Sequence, residues 1–189
     1  MSEILKIDTG ANLLEEVIKP LPIYDDNLPL LKEVMPEYTG EIPSFELMQL
    51  IKRLKMTRKT YNGIGLSANQ CGIKFRCFII GHNDWDIVCI NPKVIATSAE
   101  IKLDNEGCLS YPGLYVRITR PTWVDVEYTN EMGKIVSTRL DGLTARCYLH
   151  ELDHMNGIKF IEHVGPLALK IAKEKQAKRI KKHLRQRKK

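Results

Sequence analysis

The sequence predicts an α+β fold, with mixed or antiparallel sheets around one central helix and a basic helix at the C-terminus. Three observations predict it. Between Phe75 and Leu140 short β-branched runs alternate with turn signals, Asn91-Pro92 and Asn130-Glu131-Met132-Gly133 among them, as in strands joined by tight turns. From Asp141 to Gly157 the apolar residues Leu143, Cys147, Leu149, Leu152 and Met155 suit a helix, with Asp141 placed to cap its start and Gly157 its end. Beyond Pro166 a second helical pattern sets Leu169, Ala172, Ile180 and Leu184 along one side and basic residues on the rest. Strands followed by a core helix and a terminal helix indicate α+β and not an alternating α/β chain.

In chain order, residues 3–7 read as a short strand and Ala11 to Lys19 as a helix stopped by Pro20 and Pro22. Pro29, Pro36, Gly40 and Pro43 break up the next stretch, which reads as loop with one helical turn around Leu30 and Leu31. Ser44 then caps a helix running to about Tyr61: Leu47, Ile51 and Leu54 keep its spacing, and Lys52, Arg53, Lys55, Arg58 and Lys59 form a face that reads as solvated. GIGLSANQ, Gly63 to Gln70, reads alone as a tight helix-to-strand turn; its glycines equally permit close backbone approach to a ligand, and Gln70 offers an amide donor. Strands are expected at Phe75–Gly81, Asp86–Asn91, Lys93–Thr97, Val116–Thr119, Thr122–Thr129 and Lys134–Leu140, with His82-Asn83-Asp84 as one of the turns. EGCLS, Glu106 to Ser110, falls between strands as a loop.

Size and composition narrow the function classes. A chain of 189 residues with 43% apolar and 28% charged residues is long enough for one core. It has no apolar run able to span a bilayer, so no membrane partner is expected. The start, MSEILKIDTG, lacks the features of a secretion or transit signal, and the five scattered cysteines form no C-x-x-C pair, so an intracellular, reducing location is expected. The net charge of +6 is uneven: Lys170 to Lys189 holds eleven basic residues against Glu174 alone, leaving −4 for the rest.

The chemistry centres on His150, Glu151 and His154. Two imidazoles four residues apart share a helix face and can reach one divalent ion, while Glu151 projects toward a bound water. Three fixed residues recur by chance in roughly two of a hundred chains of this length, so the motif needs a third ligand and an oxyanion donor beside it. Cys108, in a loop beside Gly107, is sterically free to supply a thiolate. Glu106 is placed to pair with Arg120.

Taken together and in this order, GIGLSANQ, EGCLS and HELDHMNG resemble the peptide deformylase family over roughly residues 10–165. The resemblance implies a catalytic region 1–165, with 166–189 as a basic C-terminal helix of the same domain. It implies a metallohydrolase that removes the formyl group from formyl-Met nascent peptides and releases formate. Cys108, His150 and His154 would hold the metal, natively Fe²⁺, with Zn²⁺, Ni²⁺ or Co²⁺ able to replace it. Glu151 would be general base and acid, and Gln70 and the Leu109 backbone N–H would hold the oxyanion. Gly63, Ile64 and Gly65 would line the peptide groove, and Ile64, Glu106, Leu143 and Cys147 would shape the methionine pocket. Ser67 stands where the family usually has Ala, and Tyr115 falls near the place of a frequent Arg. A cytoplasmic location follows, that of an infected host if the chain is phage-encoded.

Two other readings compete. A zinc peptidase of one kind needs His where Phe160 stands, and of another a Glu about twenty residues downstream, where Glu174 does fall; neither accounts for GIGLSANQ or EGCLS. A nucleic-acid-binding protein would use the basic tail, 170–189, but no aromatic residue is interleaved there, so no sequence-specific nucleic-acid partner is expected. The resemblance instead implies possible ribosome contact through that tail.

Overall fold

The structure, a computed structural model, describes residues 19–82 and 85–186. The strand expected at residues 3–7, most of the helix expected at 11–19 and the centre of the 82–84 turn lie outside the described residues. Helix α1, Phe45–Thr60, starts at Ser44, whose hydroxyl accepts from the Leu47 N–H. The expectation that its basic face is solvated fails at Arg58, which is buried, donates to the carbonyls of Gly63 and Gly81, and pairs with Asp86 at 2.6 Å. The guanidinium has enough donors to satisfy all three partners at once, so it fixes the start of GIGLSANQ from below.

Strands β1 (Gly65–Ser67), β2 (Cys77–His82), β3 (Trp85–Thr97), β6 (Trp123–Thr129) and β7 (Ile135–Asp141) form a five-stranded sheet in the order β1-β2-β3-β6-β7, and β4 (Ile101–Gly107) pairs with β5 (Tyr115–Pro121) in a second sheet. Every described pairing is antiparallel. Contrary to the expectation of two strands separated at Asn91-Pro92, β3 runs through this dipeptide with a shift of register. Asn91 takes a left-handed φ of 52° and its amide bonds the Tyr38 N–H and carbonyl, so the irregularity is absorbed by side-chain bonds and the strand continues. β4 escaped the sequence pattern because nearly all its side chains are exposed.

Helix α2, Gly142–Met155, packs on the five-stranded sheet; Tyr148 and Met155 are buried with Phe78, Ile80, Val124 and Val126. Asp141 stands at its N-cap without a side-chain bond, and Gly157 follows with φ 70°. A 3-10 turn at Pro29–Lys32 and the buried Leu31 and Met35 lie near the far end of α2, where Met35 N–H donates to Met155 O. Helix α3, Pro166–Gln186, follows a 3-10 turn at Phe160–His163. The described residues thus form antiparallel sheets and three α-helices, an α+β fold, and no described helix is long and apolar enough to cross a membrane.

Candidate active site and metal centre

Two rows of side chains on α2 build the site. Residues four apart lie one above the other on a helix, so Leu143, Cys147 and Glu151 form one row and Arg146, His150 and His154 the next. β1 lies directly on the first row, and only glycine fits where it touches: a Cβ on Gly65 would collide with Glu151 Oε1 and stand 2.8 Å from Cys147 Sγ. The second row meets the loop after β4, which carries Cys108. Ligand atoms of Cys108, His150 and His154 all lie within 4.8 Å of one another, and Cys108 Sγ is 3.3 Å from His154 Nε2.

These donors fit a divalent ion. Tetrahedral bonds of about 2.3 Å to sulfur and about 2.0 Å to nitrogen would place the two atoms roughly 3.5 Å apart, close to the separation seen. The other four cysteines are buried, and burial pushes the Cys71 and Cys77 thiols up to about 12 and those of Cys89 and Cys147 well above their usual range. Of the five, Cys108 alone is partly exposed. His150 shows that the cluster favours positive charge: burial works against a charged ring, but the Cys108 sulfur and the Glu106 carboxylate outweigh it and raise the pKa to about 10. A metal cation would take the place of that proton. Burial keeps His154 neutral, well below the usual range.

Glu106 organises the surroundings. Its carboxylate takes both Nε and Nη2 of Arg120 at 2.9 Å, Arg146 Nη1 at 2.7 Å and His150 Nδ1 at 3.0 Å. Burial alone would raise its pKa, yet the bonds to His150 and Arg120 hold it down at about 2. The bond to Nδ1 leaves the other ring nitrogen of His150 for the cluster. The pairing of Glu106 with Arg120 matches the expectation from sequence; Arg146, which also donates to the Ile118 and Lys102 carbonyls, was missed. Its position one turn before His150 was the available signal.

Gln70 is buried, and its amide orientation follows from its partners. Oε1 accepts from both the N–H and the hydroxyl of Ser67 at 3.0 Å, so the NH₂ group points toward Cys108 Sγ, 3.3 Å away, and Ser110 Oγ, 3.1 Å away. Neither serine had stood out as a partner of Gln70. Glu151 is buried, its Oε2 has no hydrogen-bond partner among the described residues, and burial raises its pKa to about 7, against the opposing influence of His150. A cavity of about 570 Å³ opens over this cluster. Gly63, Ile64, Gly65, Gln70, Glu106, Cys108, Leu109, Leu143, Cys147, His150 and Glu151 all border it, and of the residues expected at the site only the deeper-lying His154 does not.

The family model for polypeptide deformylases matches residues 20–170. The chain belongs to the polypeptide deformylase family. Among similar deformylases, that of Synechococcus sp. (strain RCC307) is 38% identical over 125 residues, 64% of this chain, and the match spans 62% of the length of that relative. A crystal structure of a peptide deformylase from Synechococcus elongatus in complex with actinonin superposes with a TM-score of 0.79 at 35% identity, covering 84% of this chain and 86% of the other. A class I type b deformylase from Acinetobacter baumannii, solved with Met-Ala-Ser bound, gives a TM-score of 0.73 at 32% identity over 77% of this chain and 98% of that one. Deformylases are metalloenzymes, and the Cys108, His150 and His154 cluster is a group able to hold a metal.

Proposed function

We propose that this chain hydrolyses the formyl group from the N-terminal formylmethionine of newly made polypeptides and releases formate. The observation that carries this reading is the placement of one sulfur and two imidazoles beside a buried carboxyl group at the head of an apolar-walled cavity. Cys108, His150 and His154 would hold the metal; we propose Fe²⁺, with Zn²⁺, Ni²⁺ or Co²⁺ as substitutes. Three protein ligands leave a coordination position for water or substrate. When bound, the ion lowers the pKa of water from about 15.7 toward 7 and polarises a carbonyl oxygen.

The remaining chemistry falls to the chain. Glu151, with a pKa of about 7, takes a proton from the attacking water and returns it to the leaving amine. Gln70 Nε2 and the Leu109 backbone N–H face the developing oxyanion, each worth about 3 kcal/mol. Ile64, Leu143 and Cys147 receive the methionine side chain, with Glu106 holding the wall behind them. β1 and β4 each keep one edge free of strand pairing among the described residues, and both border the cavity, so an extended peptide can lie along Gly63–Gly65 and beside Gly107.

We read residues 1–165 as the catalytic region and the helix from 166 as part of the same domain, because Leu169 and Ala172 pack against Val116, Ile118 and Phe160. The basic residues of 170–189 are proposed to contact the ribosome, in the cytoplasm of the cell or of a phage-infected host. The test is formate release from a formyl-Met peptide by anaerobically prepared protein, with metal measured on the same sample. Activity with one ion per chain, both lost in Cys108→Ala, is expected. A fully metallated protein that releases no formate would overturn the reading, and loss of metal in Glu174→Ala with Cys108→Ala silent would point to a peptidase.

A further inference from the structure

The C-terminal helix reaches the mouth of the cavity. Leu169 and Ala172 on α3 pack against Tyr111, Leu114 and Phe160, which carries the next turns of the helix up to residues 112–115. There Gln176 Nε2 donates to the Pro112 carbonyl at 2.8 Å and Arg179 Nη1 to the Gly113 carbonyl at 3.3 Å. Pro112, Gly113 and Tyr115 all border the cavity.

The Arg179 guanidinium lies 5.2 Å from the centre of the Tyr115 ring. A cation is attracted to an aromatic face within about 6 Å. The same ring lies against Gly107, where an added Cβ would stand 2.7 Å from Tyr115 Cε1. Gly107 ends β4 and precedes Cys108. One aromatic ring, 52% exposed, therefore links the strand edge beside the cluster to a cation from a helix more than sixty residues further along the chain.

Charge at this mouth is not balanced by pairing. Glu106 is neutralised by Arg120, Arg146 and His150, whereas Asp25, which also borders the cavity, has only the Asn27 N–H as a side-chain partner among the described residues and keeps its negative charge at the mouth. Arg179 has no carboxylate partner among the described ion pairs, and the helix around it carries Lys173, Lys175 and Lys178 against the single acid Glu174. Tyr115 is the register partner of Gly107 and its ring lies against that residue, so a peptide laid beside Gly107 with its N-terminus at the cluster has this ring next to its first few residues.

We propose that Arg179, laid on Tyr115 by the C-terminal helix, is a specificity-determining residue that favours substrate peptides with an acidic residue a few positions after the N-terminal methionine. The inference rests on the peptide-groove reading above. Attraction between partly exposed charges changes affinity by about two- to fivefold per charge step.

The experiment compares formyl-Met-Ala-Asp, formyl-Met-Ala-Asn and formyl-Met-Ala-Lys amides on wild type, Arg179→Lys, Arg179→Ala and Arg179→Glu. Calorimetric binding of the three unformylated peptides is measured alongside, and circular dichroism checks that the helix is intact. Wild type should prefer Asp over Asn and Asn over Lys by about two- to fivefold each in kcat/KM, Arg179→Lys should keep the order, Arg179→Ala should flatten it and Arg179→Glu should invert it. The same Asp-to-Lys ratio in wild type and Arg179→Glu, or an equal loss on all three peptides, would overturn the proposal. A wild type that binds in the expected order but releases no formate would sink the deformylase reading and leave Arg179 standing.

Discussion

Replacing Glu106 by Gln tests whether this carboxylate holds the centre together. The substitution preserves shape but removes the charge and turns one oxygen into a donor. Four donor atoms from Arg120, Arg146 and His150 converge on the native group at 2.7 to 3.0 Å, so a new NH₂ must face at least one of them. Glu106, Arg120 and Arg146 are 6%, 5% and 7% exposed, so water cannot compensate. Arg120 keeps Asp153 at 2.7 Å, but Arg146 loses its one described carboxylate partner. Breaking a buried pair of this kind costs about 3 to 5 kcal/mol. In a domain of this size each kcal/mol lowers Tm by roughly 2–4 °C, so a fall of about 6–20 °C is expected. His150 also loses the acceptor that fixes its ring, which should weaken metal binding about 10- to 100-fold. Calorimetric unfolding and metal titration read the two effects separately. Asp125→Asn is the control: the same bidentate geometry with Arg139, at 2.7 Å in both bonds, stands in solvent and should leave Tm near wild type. A Glu106→Gln protein with Tm within about 2 °C of wild type and unaltered metal affinity would refute the reasoning.

Other perturbations separate the roles proposed for neighbouring groups. Glu151→Gln should retain the metal and the fold yet lose about 10²- to 10⁴-fold in kcat, measured by formate release; loss of metal instead would show that Glu151 acts as a ligand. Gly65→Ala places a methyl where Glu151 Oε1 and Cys147 Sγ already stand, so activity should fall with only part of the loss visible in Tm, and a fully active variant would mean that β1 can slide away from α2. Lys173, Lys175 and Lys178 are exposed on α3, and reversing all three to Glu should abolish salt-sensitive cosedimentation with ribosomes while formate release from a short peptide persists. Equal cosedimentation of both proteins would remove the tail from that role.

The fold was legible where burial and local pattern agree. Ser44 and the Leu47, Ile51 and Leu54 spacing located α1 because the cap and the apolar stripe are both local signals. β6 and β7 alternate strongly enough, or turn tightly enough at Gly133, to declare themselves. β4 did not, since its partner β5 supplies the apolar side and all its own residues but Glu106 face solvent. Asn91-Pro92 misled for a related reason: whether Asn in a left-handed conformation ends a strand or is absorbed within it depends on Tyr38, fifty-three residues away.

The site divides along the same line. His150, Glu151 and His154 were legible because helix geometry alone puts them together. Cys108 was legible as a loop thiol, although only the fold could bring it within 3.3 Å of His154. What sequence spacing could not supply is the set of partners that settles each group's orientation: Ser67 choosing which end of the Gln70 amide faces the cluster, or Arg58 turning inward from a basic face to hold Gly63. Each of these is a donor satisfying an acceptor that burial has removed from water, and an unpaired buried acceptor costs more than a surface bond contributes. Arginines are therefore drawn inward wherever backbone carbonyls or carboxylates are left buried, as Arg58, Arg120 and Arg146 all are here. The reactive residues come from local motifs, but their working orientation is imposed by the need to satisfy buried polar groups around them.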